Sequence, residues 1–291
     1  MAMNPAPARL PRVALILAGI LTPFALLPSQ DWEETESPEA PHADEAEVEE
    51  EEPPAETDSA SRKILGNYVR AMGGMDAIKE ITSYRASGTV KMGRNENEIR
   101  LMRKAPRCSR YEVDHEMRYR QTGTVVRATD GDYAWTRDGR KEDARPKPMG
   151  KAKTKDFNRE ADFYGPLIDW EEKGITFRYE GKDRLGKRPV YILKAHHPDG
   201  AREWFYFDAK SFILLRHKGE GAFANARQMI DTTYTGYRKL GDTYFPTTRV
   251  LSLRGQELGR TTFEKVEPNV PLDDSLFEAS KPKEVWIRQR G

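Results

Sequence analysis

The chain has 291 residues, more than one small core requires and fewer than two large domains usually contain. Its 48 Lys and Arg nearly balance its 47 Asp and Glu, and its one cysteine excludes an intramolecular disulfide. No Walker, dinucleotide-binding or G-x-S-x-G pattern occurs, so the sequence carries no motif of the common nucleotide-dependent enzymes or serine hydrolases.

The first 30 residues have the pattern of an export signal. Arg9 and Arg12 precede an apolar run from Val13 to Leu27, which is shorter than the roughly 20 residues that span a membrane. The single cysteine, Cys108, is far from this run, so the run offers no site for lipid attachment. We predict a signal peptide at 1–30 and a periplasmic protein, with an uncleaved inner-membrane anchor as the alternative.

Residues 31–58 form an abruptly acidic segment, with 14 Asp and Glu and no Lys or Arg. Self-repulsion and scarce apolar surface predict a disordered linker here. The chain after residue 58 then holds 46 basic and 33 acidic residues, a net charge of about +13. This charge indicates either a solvated basic surface or contact with anionic groups, such as phospholipid headgroups or lipopolysaccharide phosphates. Nucleic acid is not expected as a partner, because no binding motif is present.

A helix is predicted at the start of the remaining chain. Asp58, Ser59 and Ser61 are candidate capping residues, and Gly73-Gly74 end the helix. Its apolar residues recur at helical spacing and must be buried against a sheet: Ile64, Leu65, Tyr68, Val69 and Met72. A second, shorter helical turn is predicted over 76–81.

Alternation of apolar and polar residues with period two then predicts ten or more strands in an antiparallel meander. The strand runs are 84–92, 99–103, 111–116, 133–136, 190–194, 203–207, 212–217, 229–237, 244–253 and 258–266. Asp199-Gly200 is the clearest hairpin signal, because this pair suits a primed turn. A sheet with this many strands curls or closes.

One stretch interrupts the alternation. Residues 147–155 are basic and turn-rich, and residues 156–170 are predicted to be helical. Because this helix falls between strands, we expect it to lie over one face or one mouth of the sheet. Apolar residues on both faces of 204–207 and 212–215 leave two interpretations open: a helix that covers a filled core, or a concave face that holds an apolar ligand.

Several segments occur in a recognisable order along most of residues 60–280. They are 64–74 with 77–81 and Gly88-Thr89-Val90, then Asp130-Gly131 before Trp135, then 189–193 with 204–208 and Leu214-Leu215, and last Phe245-Pro246 with the tail 268–277. Their arrangement resembles the LolA/LolB-like superfamily of periplasmic outer-membrane lipoprotein-sorting proteins.

The resemblance implies a mainly β fold over residues 59–291: an incomplete, open antiparallel β-barrel whose strongly curved sheet is covered by helices. It also implies an apolar cavity that receives acyl chains of lipoproteins or other lipids. The absence of an anchor cysteine places the chain with the soluble carriers of this superfamily. The same fold serves in envelope-stress regulators that bind a membrane protein partner, and this is the alternative function.

Catalytic and metal sites are not expected. His196 and His197 are adjacent, so on a strand they point to opposite faces and do not share a metal. His115 and His217 have no Cys or spaced carboxylate partner for a zinc site. We predict a non-enzymatic carrier without a cofactor, whose partners are acyl chains, an anionic membrane surface and a membrane-protein donor or acceptor.

The ligand site is predicted between the 156–170 helix and the concave face of the sheet. The predicted lining residues are, on the lid, Phe163, Leu167 and Ile168 and, on the sheet, Trp135, Trp204 and Tyr206. Trp204 and Tyr206 share one face by period two, and Phe205 and Phe207 share the other. The alternation does not determine which face is concave, so Phe205 and Phe207 are the alternative pair.

Overall fold

The computed structural model describes residues 54, 56–116, 122–142, 144–223 and 226–279. The predicted signal peptide at 1–30 and most of the predicted acidic linker at 31–58 lie outside the described residues. In the part of the chain that is described, no helix is long and apolar enough to cross a membrane.

Two helices begin the fold, as the sequence predicts. Helix α1 spans Ser59–Ala71 and α2 spans Met75–Glu80. The carboxylate of Asp58 caps α1, because it accepts hydrogen bonds from the backbone N–H and the hydroxyl of Ser61. Gly73 and Gly74 have φ of 91° and 95°, where an L side chain is strained, so this pair ends α1 and turns the chain into α2.

Strands make up most of the described chain. They are β1 Ser83–Met92, β2 Asn95–Lys104, β3 Cys108–Glu116, β4 Thr122–Thr129, β5 Ala134–Asp138, β6 Lys147–Pro148, β7 Thr176–Leu185, β8 Arg188–His196, β9 Arg202–Asp208, β10 Leu214–Phe223, β11 Ala226–Leu240, β12 Thr243–Leu253 and β13 Gln256–Pro268. A third helix, α3, spans Lys151–Glu160 between β6 and β7.

Within the described residues, these 13 strands form one antiparallel sheet in the order β6-β5-β4-β3-β2-β1-β13-β12-β11-β10-β9-β8-β7. The pairing of β1 with β13 joins one meander, β1 to β6, to a second meander, β7 to β13. Strands β6 and β7 therefore occupy the two edges, and the sheet does not close. The predicted open antiparallel sheet with covering helices is confirmed.

The two meanders meet closely at Gly88. A Cβ atom there would lie 1.9 Å from the carbonyl oxygen of Thr262, and the register shifts between Ser87 and Gly88. Only glycine allows the two backbones to approach this closely, and a bulge of this kind bends the strand and increases its twist. The sheet therefore bends where its two halves join.

The sheet has a covered face and an outer face. Phe205 and Phe207 lie on the covered face, where α1 packs, and the ring of Tyr68 is 5.3 Å from that of Phe207. Met102 lies on the outer face, against residues 270–279, which we call the C-terminal strap. Both faces are thus partly shielded, the first by helices and the second by the strap.

The helix predicted over 156–170 is shifted in the structure. Helix α3 begins earlier and ends at Glu160, and residues 161–175, which we call the covering segment, have no regular structure before β7. A continuous helix over 156–170 is prevented by Gly165-Pro166, because proline lacks an N–H and clashes with the preceding turn, and Gly165 has φ of 68°. The apolar residues of 156–170 therefore lie partly at the end of α3 and partly in the turns that follow it.

The predicted hairpin at Asp199-Gly200 is confirmed. It joins β8 to β9, with the backbone N–H of His197 donating to the carbonyl of Ala201 at 2.9 Å. Gly200 has φ of 83°, which explains the glycine at this position.

Candidate ligand site on the covered face

The covering segment belongs to the link from β6 to β7, which starts at one edge of the sheet and ends at the other. This link lies on the covered face, where Phe163, Leu167 and Ile168 are 3%, 0% and 0% exposed. Phe163 packs on Tyr84 of β1 with ring centroids 5.7 Å apart, whereas Leu167 and Ile168 join the core under α1. The three predicted lid residues therefore lie between the segment and the sheet.

The start of the covering segment is held by polar contacts. The Nη2 atom of Arg103, on β2, donates to the carbonyl oxygens of Glu160 and Asp162, each at 2.8 Å. The backbone N–H of Phe163 donates to the carbonyl of Pro106 at 2.9 Å. Arg103 and the Phe163–Pro106 hydrogen bond thus help to fix the point at which the chain leaves α3 and passes onto the covered face.

Helix α3 is tied to two hairpins by ion pairs. Arg159 and Lys155 contact Asp199 in the β8–β9 turn at 2.7 and 3.2 Å, and Asp156 lies 3.4 Å from Arg227 of β11. Burial would raise the pKa of Asp199, but the hydrogen bond from Arg159 and one from the backbone lower it to about 2. These contacts join the link to β8, β9 and β11.

Trp204 and Tyr206 do not face the covering segment, so their predicted place beside the lid is wrong. They lie on the outer face, half-buried, with the Lys194 ammonium 5.6 Å from the Trp204 ring and the Arg216 guanidinium 5.0 Å from the Tyr206 ring. The alternative pair, Phe205 and Phe207, is fully buried on the covered face. Each outward aromatic ring is thus covered in part by a cationic side chain.

Trp135 also lies on the outer face, so the predicted grouping with the lid is wrong for this residue too. It stands opposite Ala128 in the β4–β5 pair. Its indole Nε1 donates to the carbonyl oxygen of Phe277 in the C-terminal strap at 2.7 Å, and the Arg110 guanidinium lies 5.6 Å from its ring. Trp135 therefore anchors the strap.

A polar cluster lies on the covered face where the two apolar cores meet. Tyr234, Arg249 and Thr261 stand opposite one another on β11, β12 and β13, and opposed side chains share a face. Arg249 is 8% exposed, and its guanidinium carbon is 5.0 Å from the ring centroid of Phe263. Several buried side chains here have polar atoms that find no hydrogen-bond partner among the described residues. We call them the Arg249 cluster: Tyr84, Tyr111, Thr232, Tyr234, Arg249 and Thr261.

Burial determines the charge states in the Arg249 cluster. Burial lowers the pKa of Arg249, but a guanidinium remains charged in a protein. Burial raises the pKa of Tyr111 and of Tyr234, so both phenols are neutral donors. The Tyr111 hydroxyl lies near that of Thr261, and the Tyr234 hydroxyl lies near that of Thr232, but neither pair forms a hydrogen bond. The cluster is a positively charged set of hydrogen-bond donors in a region from which water is largely excluded.

The alternation of β12 contains the signal for this cluster, which the sequence analysis missed. Phe245, Thr247, Arg249 and Leu251 all lie buried on one face of the strand. An arginine in register with phenylalanine and leucine is an inward-facing charge, and such a charge is costly unless it has a partner. Polar residues at this spacing are more often assigned to a solvated face.

A buried carboxylate lies near the Arg249 cluster. Glu203 is 4% exposed, and its Oε2 and Oε1 are 2.9 and 3.5 Å from the Nε2 atoms of His197 and His217. Burial would raise the pKa of Glu203, whereas the adjacent His217 and His197 lower it. Thr232 stands opposite His217 in the β10–β11 pair. Among the residues described, no group of three or more His, Cys, Asp or Glu is arranged to hold a metal ion.

Comparison with known proteins gives the fold a name. No family model and no curated protein matches the chain. A solved structure of a DUF1329 family protein from Desulfovibrio piger ATCC 29098 matches with a TM-score of 0.51 and 12% identity, over 75% of this chain and 96% of that chain. A LolA superfamily protein from Nitrosomonas europaea has a TM-score of 0.49 and 10% identity, over 75% and 96%. The chain shares the fold of the DUF1329 family protein.

A third solved structure, a domain from Vibrio parahaemolyticus named for outer membrane lipoprotein sorting, has a TM-score of 0.47 and 13% identity, over 67% of this chain and 89% of that chain. At these identities the likeness shows the fold alone. The open antiparallel sheet with covering helices that the LolA/LolB-like resemblance implies is confirmed, and function has to be argued from the covered face itself.

Proposed function

We propose that the chain is a periplasmic carrier or binding protein that holds the acyl chain of a lipid or lipoprotein between the sheet and the covering segment. The observation that carries this proposal is the path of the β6–β7 link, which places Phe163, Leu167 and Ile168 over the covered face. An acyl chain in water costs about 0.8 kcal/mol per exposed CH₂ group. A curved apolar sheet with a separable cover supplies an alternative environment for that chain.

Two features support a cover that separates from the sheet. The covering segment has no regular secondary structure. Among the described residues, only the backbone hydrogen bond from Phe163 to Pro106 reaches beyond the segment and α3. Its other ties are side-chain contacts, among them those of Arg103 with Glu160 and Asp162, of Lys79 with Asp169 and of Arg62 with Glu171. Irregular segments with few backbone hydrogen bonds open at lower free energy than the strands beneath them. Ligand entry beneath 161–175 therefore leaves the sheet intact.

Export, membrane contact and partners complete the proposal. The signal-like residues 1–30 support a periplasmic location, and the basic chain after residue 58 supports contact with anionic headgroups. A membrane-protein donor or acceptor would deliver or receive the lipid. A regulator of the same fold would instead form a stable complex with a protein partner and carry no lipid.

A fluorescent fatty-acid titration tests the proposal. We expect saturable binding of one probe per chain, below the concentration at which the probe forms micelles. Leu167→Glu places a charge on the covered face and should abolish binding, since the charge is buried without a partner. Trp204→Glu is the matched control, because it places the same charge on the outer face.

Thermal melts accompany both variants, because Leu167 also contributes to the core. Absence of saturable binding to the wild-type chain would refute the proposal regardless of the variants. Equal affinity in a folded Leu167→Glu protein would show that the covering segment is not part of the ligand site.

A further inference from the structure

Arg249 is a buried cation for which the described residues supply no counterion. Among the described residues, no carboxylate lies within ion-pair distance of its guanidinium, and its Nε and Nη2 atoms have no hydrogen-bond acceptor. The neighbouring Arg103, by contrast, donates to two carbonyl oxygens. An unpaired buried charge is strongly unfavourable, so its retention in the middle of a sheet calls for a partner that the described chain does not supply.

The surroundings of Arg249 are suited to an anion. The phenols of Tyr84, Tyr111 and Tyr234 are its principal electrostatic neighbours, and all three are neutral donors with raised pKa. Carboxylate and phosphate oxygens accept hydrogen bonds from guanidinium and phenol groups, and such bonds are strengthened by the charge. The buried Glu203 does not occupy this place, because its carboxylate hydrogen-bonds His197 at 2.9 Å and lies 3.5 Å from His217.

The apolar cores beside the cluster indicate what the anion is attached to. Tyr234 belongs to the core under α1, whereas Tyr84, Tyr111 and Phe263 belong to the core under Phe163. A bound anion at Arg249 would therefore have apolar surface on both sides along the covered face. This pattern fits the polar end of an amphiphile better than a free inorganic ion.

We propose that the Arg249 cluster binds the anionic head, a carboxylate or a phosphate, of the lipid whose acyl chain lies along the covered face. The assignment rests on the proposed function and adds the class of ligand to it. The guanidinium of Arg249 pairs with the head, and the surrounding phenols donate to its remaining oxygen atoms. Neutral lipids of the same chain length then bind more weakly.

Matched probes and variants test the assignment. The probes are cis-parinaric acid and its neutral methyl ester, titrated against the wild-type chain, Arg249→Met, Arg249→Lys and Arg216→Met. Arg216 is the control, because this arginine lies on the outer face and pairs with Asp231. We expect the acid to bind the wild type roughly tenfold more tightly than the ester. Arg249→Met should remove this difference in affinity, and Arg249→Lys should keep part of it. Arg216→Met should leave it unchanged.

A thermal melt of the ligand-free protein separates binding from a structural role. Removal of an unpaired buried charge should raise the melting temperature of Arg249→Met, whereas a structural arginine would lower it. Equal affinity for acid and ester in the wild type would overturn the head-group assignment while leaving the acyl carrier in place. Failure of both probes to bind would refute the carrier itself.

The source of the anion is tested with inorganic phosphate. We expect no displacement of cis-parinaric acid by millimolar phosphate, because phosphate lacks the acyl chain. Displacement by phosphate, together with protection of the Arg249 cluster against hydrogen exchange in the absence of lipid, would overturn the assignment in favour of a site for a free anion.

Discussion

The indole Nε1 of Trp135 donates a buried hydrogen bond of 2.7 Å to the carbonyl oxygen of Phe277. These residues are on β5 and in the C-terminal strap, so the contact fastens the end of the described chain to the outer face. Phe277 is fully buried, and it packs with Leu272 against Met102 of β2. The strap thus completes a smaller core of its own on the side of the sheet away from the candidate site.

Replacement of Trp135 by phenylalanine should destabilise the protein without affecting ligand binding. The change removes the indole donor and leaves the carbonyl of Phe277 buried, which costs about 1–3 kcal/mol. Urea denaturation measures the loss. Trp204→Phe is the control, since Trp204 is only half-buried on the same face. Equal losses in the two variants would mean that the strap contact is not stabilising.

Arg103→Met should loosen the start of the covering segment. The carbonyls of Glu160 and Asp162 each lose a donor, and the segment should open more often. The amide of Phe163, which donates to Pro106, is the reporter in hydrogen exchange, and we expect its exchange to be roughly tenfold faster.

The control for this variant is Arg260→Met, because Arg260 is exposed on β13 and pairs with Glu257 of the same strand, far from the covering segment in sequence. Its Phe163 amide should exchange at the wild-type rate. Unchanged exchange in a folded Arg103→Met protein would show that Arg103 does not hold the segment.

His196 should make the protein less stable in mild acid. Burial lowers the pKa of His196 to about 4, and the positive charges of Lys194 and Arg202 act in the same direction. An unfolded histidine takes up its proton near pH 6.5, so stability is complete above that pH and falls as pH decreases towards 4. We expect a loss on the order of 2 kcal/mol across this window.

His196→Gln tests this pH dependence, because glutamine does not titrate. The free energy of unfolding, measured by urea denaturation at several pH values, should fall less steeply for the variant than for the wild type between pH 6.5 and 4. Parallel curves would assign the acid sensitivity to other groups, among them His115, whose pKa is also lowered by burial.

The acidic segment 31–58 should weaken binding to anionic membranes. It carries 14 acidic residues, and the chain that follows is strongly basic. We expect a chain that lacks residues 31–58 to bind phosphatidylglycerol vesicles more tightly than the full chain. The difference should shrink as salt is raised, because the Debye length is about 8 Å at physiological ionic strength. Vesicles of phosphatidylcholine alone are the control. Equal binding of both chains to anionic vesicles would show that the acidic segment does not affect membrane binding.

Sequence patterns predicted the helices at 59–80, the hairpin at Asp199-Gly200 and most strands of the second meander, because these signals are local. Two long strands were missed for opposite reasons. Strand β7 is an edge strand with a run of polar residues over 180–184, so its alternation is weak. Strand β4 has adjacent buried valines at 125 and 126, since both of its faces are covered.

The candidate site was only partly predictable. The position of Phe163, Leu167 and Ile168 against the covered face could be predicted, because a break in the alternation is visible in the sequence. The sequence could not decide whether Trp204 or Phe205 lies on the covered face, because period two separates the two faces without showing which one α1 covers. Arg249 was missed because a polar residue within a strand is usually assigned to the solvated face, although Arg249 alternates in phase with Phe245 and Leu251.

Native mass spectrometry of the chain, purified gently from the periplasm, tests the central claim most directly. The account predicts a folded protein with one lipid bound per chain, and the organic extract should yield a lipid with a carboxylate or phosphate head. A folded chain that is recovered with a protein partner and no lipid would contradict the carrier function.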